Sequence, residues 1–93
     1  MKKHTKIYFK HFGIGEQDFV KCEVSACYKR ATEIHHIDSK GLGGTSIDKD
    51  YIENLVAVCR EHHERAHADK NFNAALKTNH LNNLQIFATF GKT

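Results

Sequence analysis

Three cysteines and one histidine set the tightest limit on how this chain can fold. Cys22 and Cys27 are separated by four residues, and Cys59 and His62 by two. Three thiols cannot all pair as disulfides. The charged opening Met1-Lys2-Lys3-His4-Thr5-Lys6 predicts no secretory leader. A reducing, cytoplasmic setting is therefore expected, where Cys together with His reads as metal ligation. Three thiolates and one imidazole are a closed composition for structural zinc. A chain of 93 residues needs such a staple, because a domain this small buries only about 60% of the surface its unfolded form exposes. Zinc binding would then be part of the folding free energy itself.

The remaining composition is that of one globular domain spanning residues 1–93. At 40% hydrophobic, with no Pro and 6 Gly, the chain is too apolar to stay disordered and carries no collagen or coiled-coil bias. No run approaches the 18 or so consecutive apolar residues of a membrane span, so a membrane is not an expected partner. Lys plus Arg 14 against Asp plus Glu 11 gives +3, a mild basic excess that permits a nucleic-acid partner without requiring one.

Along the chain, Ile7-Tyr8-Phe9-Lys10-His11-Phe12 reads as a short N-terminal strand broken by Gly13 and Gly15. Residues 31–37 are rich enough in β-branched side chains for a second strand. Asp38 to Asp50, with Gly41-Leu42-Gly43-Gly44, has turn chemistry throughout and predicts a wide loop. Leu55-Val56-Ala57-Val58 is a short buried strand, and Arg60 to about Ala68 a helix with Glu61 and Glu64 in its early turns. Leu81, Leu84 and Phe87, with Ile86 and Phe90 nearby, predict a last helix ended by Gly91.

Eight histidines are many for this length, and five lie between positions 35 and 67. His63 and His67 are about 40° apart around a helix axis and share one face, a common way to hold a transition metal. His62 is rotated about 100° from His63 and faces elsewhere, which frees it to complete the cysteine set.

The order Glu33-Ile34-His35-His36-Ile37, then Asn54-Leu55, then His63 with His67 resembles the HNH (ββα-metal) nucleases. The likeness covers about residues 22–67, and Cys22, Cys27, Cys59 and His62 stand where many phage and mobile-element members carry a zinc knuckle. It implies an α+β fold with a ββα-metal core, to which this chain would add the N-terminal strand and C-terminal helix. It implies that His35, His63 and His67 hold a catalytic divalent metal and that His36 is the general base. Asn54 would brace the loop between the strands or reach toward the metal, and bracing is favoured because three imidazoles already supply ligands.

This sequence departs from the common pattern twice. Many knuckles in the family use four cysteines with two-residue spacers, and many members have Asp where this chain has His35. All-imidazole ligation opens the choice of ion to Zn2+, Ni2+ or Mn2+ as much as Mg2+. The expected function is hydrolysis of phosphodiester bonds in DNA, leaving a 5′ phosphate, with a phage packaging or restriction component as partner by analogy. The alternatives are a zinc-stabilised DNA-binding module that does not cut and a zinc-bound protein-interaction domain. Successive strand residues point to opposite faces, so His35 and His36 reach one cleft only where the strand is bulged or ends. Lys29, Arg30, Lys40, Arg60 and Arg65 are candidate phosphate contacts, and Lys70, Lys77 and Lys92 could make a DNA-facing tail. His4, His11 and His80 match no motif and are assigned to structure or surface.

Overall fold

A computed structural model of the chain describes residues 1–39 and 48–91. The glycines at 41, 43 and 44, with Lys40 and Lys92, lie outside the described residues. The order of elements is helix α1 (Lys3–Phe12), strand β1 (Glu33–His36), a 3-10 turn (Ile52–Asn54), strand β2 (Leu55–Val58), helix α2 (Arg60–Ala68) and helix α3 (Lys70–Phe90). The fold is mixed α+β, built on a two-stranded antiparallel sheet.

The sheet pairs Glu33 with Val58, Ile34 with Ala57, His35 with Val56 and His36 with Leu55. Two strands alone are marginal in water, and here both faces are covered. Val56 and Val58 join Cys22, Cys27, Ile37, Cys59, Ala66 and Leu76 on the side of α2 and α3. Leu55 and Ala57 pack with Tyr8, Phe9, Phe12, Val20 and Ile34 on the side of α1. That is why all four residues of β2 are buried and why its sequence is a continuous apolar run rather than an alternating one. Each fully buried Val or Leu here stabilises by about 1.5–3 kcal/mol.

The expected N-terminal strand is instead the helix α1. Ile7, Tyr8, Phe9 and Phe12 lie on the side toward the sheet while Lys6 and Lys10 point to water, a 3.6-residue pattern rather than an alternating one. The sequence concealed this start, because Lys2 gives no side-chain cap and the first turn holds no acid. Its end follows the glycine signal: Gly13 is left-handed at φ 65°, and Gly13 and Ile14 donate to the carbonyls of Lys10 and Phe9 at 3.3 and 2.9 Å.

Helix α3 also exceeds the expectation, starting at Lys70 rather than near Leu81. Asp69 caps it by accepting from the amides of Asn71 and Phe72. Its inward positions over the first turns are Asn73, Leu76, His80 and Asn83, so an apolar stripe could not announce it. Among the described residues, no helix is long and apolar enough to cross a membrane.

Candidate metal centres

Residues 20–31 fold back on themselves. Lys21 and Arg30 form an antiparallel bridge, Cys22 N–H donates to the Lys29 carbonyl at 2.9 Å, and Ala31 N–H to that of Val20 at 2.7 Å. Within the turn Ala26 is left-handed at φ 64°, which lets a four-residue spacer bring Cys22 and Cys27 together. Cys59 and His62 arrive from the start of α2. The Cys27 and Cys59 sulfurs are 4.0 Å apart, and His62 Nδ1 lies 3.5 Å from Cys22 Sγ and 3.3 Å from Cys59 Sγ.

A tetrahedral zinc with ordinary bond lengths sets S···S edges of roughly 3.8 Å and S···N edges of roughly 3.5 Å. The donor set therefore fits structural zinc in composition and spacing, with the four ligand atoms within 4.8 Å of one another. Cys22 and Cys59 are buried, as a closed site requires. Burial pushes the Cys22 thiol up to about 11, whereas hydrogen bonding from the backbone at Lys29 pulls Cys27 down. Zinc binding at neutral pH would thus release at least the Cys22 proton. His62 is fixed from behind by stacking on Phe72, and the Arg65 guanidinium lies 4.3 Å over the same ring.

A second group gathers His35 from β1 and His63 and His67 from α2. His63 Nε2 and His67 Nε2 are 3.1 Å apart, and the His35 ring centroid is 5.1 Å from each of theirs. His35 is buried, His63 half-buried and His67 exposed, so the group opens to solvent on one side. Burial and the neighbouring imidazole charges outweigh an opposing hydrogen bond and hold His35 below the usual imidazole range. Burial, then His67, does the same to His63. Neutral imidazoles are what a metal needs.

Asn73 on α3 belongs to no motif legible in the sequence. Its Nδ2 donates to the Ile37 carbonyl at 2.8 Å, which fixes the amide so that Oδ1 faces His35 Nε2 at 2.9 Å. An amide oxygen only accepts, so His35 Nε2 carries the proton and Nδ1 keeps a lone pair for a cation. Ligating histidines in metal sites characteristically have such a partner behind them.

His36 takes the opposite direction. Its pairing with Leu55 is regular, without a bulge, and β1 ends at this residue with Ile37 returning to the core. Paired residues share a face, so His35 goes with Val56 toward α2 and His36 with Leu55 toward α1. There its Nε2 meets Asp50 Oδ1 at 2.7 Å, and its ring stands 4.5 Å from that of His4 on α1. The two adjacent histidines therefore belong to different groups of side chains, yet they remain close enough that His36 depresses the His35 titration.

Asn54 is buried and spends its amide on backbone. Its Oδ1 accepts from Asp38 N–H at 2.7 Å, and Nδ2 donates to the carbonyls of Asp38 and Lys49, each at 3.0 Å. This clamps the two ends of the interstrand connection and sets the position of Asp50. Of the basic candidates, Lys29 is paired with Glu61 at 3.0 Å and Arg30 lies over Phe19.

His80 is fully buried. Its Nδ1 meets Glu23 Oε1 at 2.8 Å and its Nε2 the Ile52 carbonyl at 2.7 Å. Tyr8, Asn83 and the Ala57 amide also donate to Glu23, joining α1, the cysteine turn, β2 and α3 through one carboxylate. No family model, curated protein or solved structure matches this chain.

Proposed function

We propose that this chain is a metal-dependent endonuclease of the HNH type that hydrolyses phosphodiester bonds in DNA. The observation that carries the reading is an open three-imidazole cluster next in sequence and space to a carboxylate-bound histidine. His35, His63 and His67 would hold a divalent ion, Mg2+, Mn2+, Ni2+ or Zn2+, while Cys22, Cys27, Cys59 and His62 would hold a structural zinc. The catalytic ion supplies positive charge against the oxygens on which negative charge develops.

The residues of the chain do the rest. Asp50 can only accept, so His36 Nε2 donates to it and Nδ1 is left to take the proton of an attacking water. Asp50 acts through His36 and is a positioning residue, and Asn54 positions Asp50 in turn. Because β1 stops at His36, a phosphodiester laid across the strand end would meet the three imidazoles on one side and the base on the other. A positioned base of this kind contributes about 10²–10⁴-fold.

Plasmid nicking with EDTA and a series of divalent metals tests the reading. His36→Ala should lose activity by about that factor with zinc content unchanged, and His63→Ala and His67→Ala should raise the metal concentration required. Retained nicking in His36→Ala ends the base assignment. One observation favours a second reading, a zinc-stabilised DNA-binding module that does not cut: the regular register turns His36 away from His35. A gel shift without nicking in any metal would establish it.

A further inference from the structure

The side of the sheet that receives His36 holds more than a base. His4 lies in the first turn of α1, His36 ends β1, and Asp50 precedes the 3-10 turn, so three separate segments converge. Each offers one nitrogen or oxygen ligand atom, and these atoms lie within 4.8 Å of one another. The side chains of Asp50 and His36 are only 3% and 15% exposed, held in place rather than solvated. Helix periodicity cannot account for the grouping, because no two of the three share an element.

Two imidazoles and one carboxylate suit borderline dications of the zinc class and leave positions open for water. Among the described residues, Lys3 is a cation beside the group. Its Nζ is 4.0 Å from Asp50 Oδ2 but 3.1 Å from the exposed Asp48, so its nearer carboxylate is Asp48. The Asp50 oxygen that meets His36 is the other one, Oδ1.

We propose that His4, His36 and Asp50 form a third metal site, for a zinc-class dication, and that its occupancy switches off the nuclease. The inhibitory half rests on the reading of His36 as the base; the metal site itself does not. A neutral imidazole has one lone pair, its other nitrogen carrying the proton. Coordination through either nitrogen of His36 therefore consumes the pair that would accept the proton of water. The same ion would support folding at the cysteine site and silence the base at this one, at different concentrations.

The test uses the full chain and zinc alone as the probe. Zinc bound per chain is counted by equilibrium dialysis for the wild type, His4→Ala and His4→Gln, with a thermal melt of each to show that the fold persists. Plasmid nicking in Mn2+ is then followed as zinc rises, and inhibition is read as a ratio within each variant. The wild type should bind one more zinc than either His4 variant. At zinc ten times the dissociation constant of this site its nicking should fall about tenfold, and both variants should lose most of that inhibition. Equal zinc counts in folded variants overturn the site. Unequal counts with inhibition unchanged overturn the switch. Unequal counts with no cleavage by any protein in any metal overturn the switch and the nuclease reading together and leave the metal site standing.

Discussion

Replacing Glu23 by Gln keeps the shape of the side chain and removes its charge from the centre of the protein. The carboxylate accepts from His80 Nδ1 at 2.8 Å, Asn83 Nδ2 at 2.9 Å, the Ala57 amide at 3.1 Å and Tyr8 Oη at 2.5 Å. Burial alone would push Glu23 up, but His80, Asn83 and Tyr8 outweigh it and hold the group below the usual carboxylate range. Burial likewise opposes the charge on His80, and Glu23 outweighs it and holds the imidazole above its usual range. An amide retains one acceptor oxygen and turns an NH2 toward donors, so at least one charge-assisted hydrogen bond is lost and one donor is left facing another. The cost should be about 2–3 kcal/mol, which in a domain of this size lowers Tm by about 10–20 °C. Urea unfolding of the zinc-loaded protein, followed by far-UV circular dichroism, measures it. The pH dependence supplies a second check. The Glu23 contribution is complete above its ordinary value of 4.5 and is lost as pH falls through the lower folded value. The His80 contribution is complete below 6.5 and is lost as pH rises through the higher folded value. The gap between wild type and Glu23→Gln should therefore be widest between pH 4.5 and 6.5 and narrow on either side. A gap below 1 kcal/mol, or one that does not vary with pH, refutes a charged Glu23–His80 pair.

Three further outcomes follow from the metal groups. Chelating zinc, or making Cys59→Ser, should abolish cooperative unfolding, because structural zinc binding contributes about 10–16 kcal/mol against a total stability of about 5–15; an EDTA-treated protein that melts as before would show the cysteine cluster to be metal-free. Asn73→Ala should weaken divalent binding at the three-His cluster by about 10–100-fold in calorimetric titration, and unchanged affinity would mean that Asn73 serves only the Ile37 backbone. Ala26→Gly should stabilise the zinc-loaded protein by up to about 1 kcal/mol by removing the side chain from a left-handed position; destabilisation in urea unfolding would mean the turn depends on that methyl.

What could be read from the sequence was what local chemistry decides. The cysteine set was legible because three thiols and an adjacent helical histidine have few other uses, and β2 because four consecutive apolar residues need cover on both sides. Strand β1 and helix α2 followed from β-branching and early acids. The misses share a cause: the inward faces of α1 and α3 are defined by partners distant in sequence. Tyr8 needs Glu23 for its hydroxyl, and Asn73, His80 and Asn83 are inward because His35 and Glu23 wait there. A search for apolar stripes passes over amides and imidazoles. His4 and Asp50 were invisible for the same reason, since neither has a motif until α1 is a helix and Asn54 has fixed the loop end.

The difference between His35 and His36 comes from one backbone step, and it gives α1 its purpose. In a sheet of two strands with only α2 and α3 packed on it, His36 and Leu55 would face water, and an imidazole there would be free to rotate. α1 closes that face with Tyr8, Phe9 and Phe12, and brings His4 to within 4.5 Å of the His36 ring. Its first residue also reaches the loop end through the Lys3–Asp48 pair. The exposed ion pair adds at most about 1 kcal/mol, so enclosure by apolar side chains is the larger effect. The two faces thus receive different treatment from different parts of the chain. The α2 face gathers three imidazoles around a common point and opens to solvent on one side. The α1 face restrains a single imidazole between a carboxylate and a second ring. Any chemistry that used both would take place at the end of β1, where His35 and His36 stand side by side.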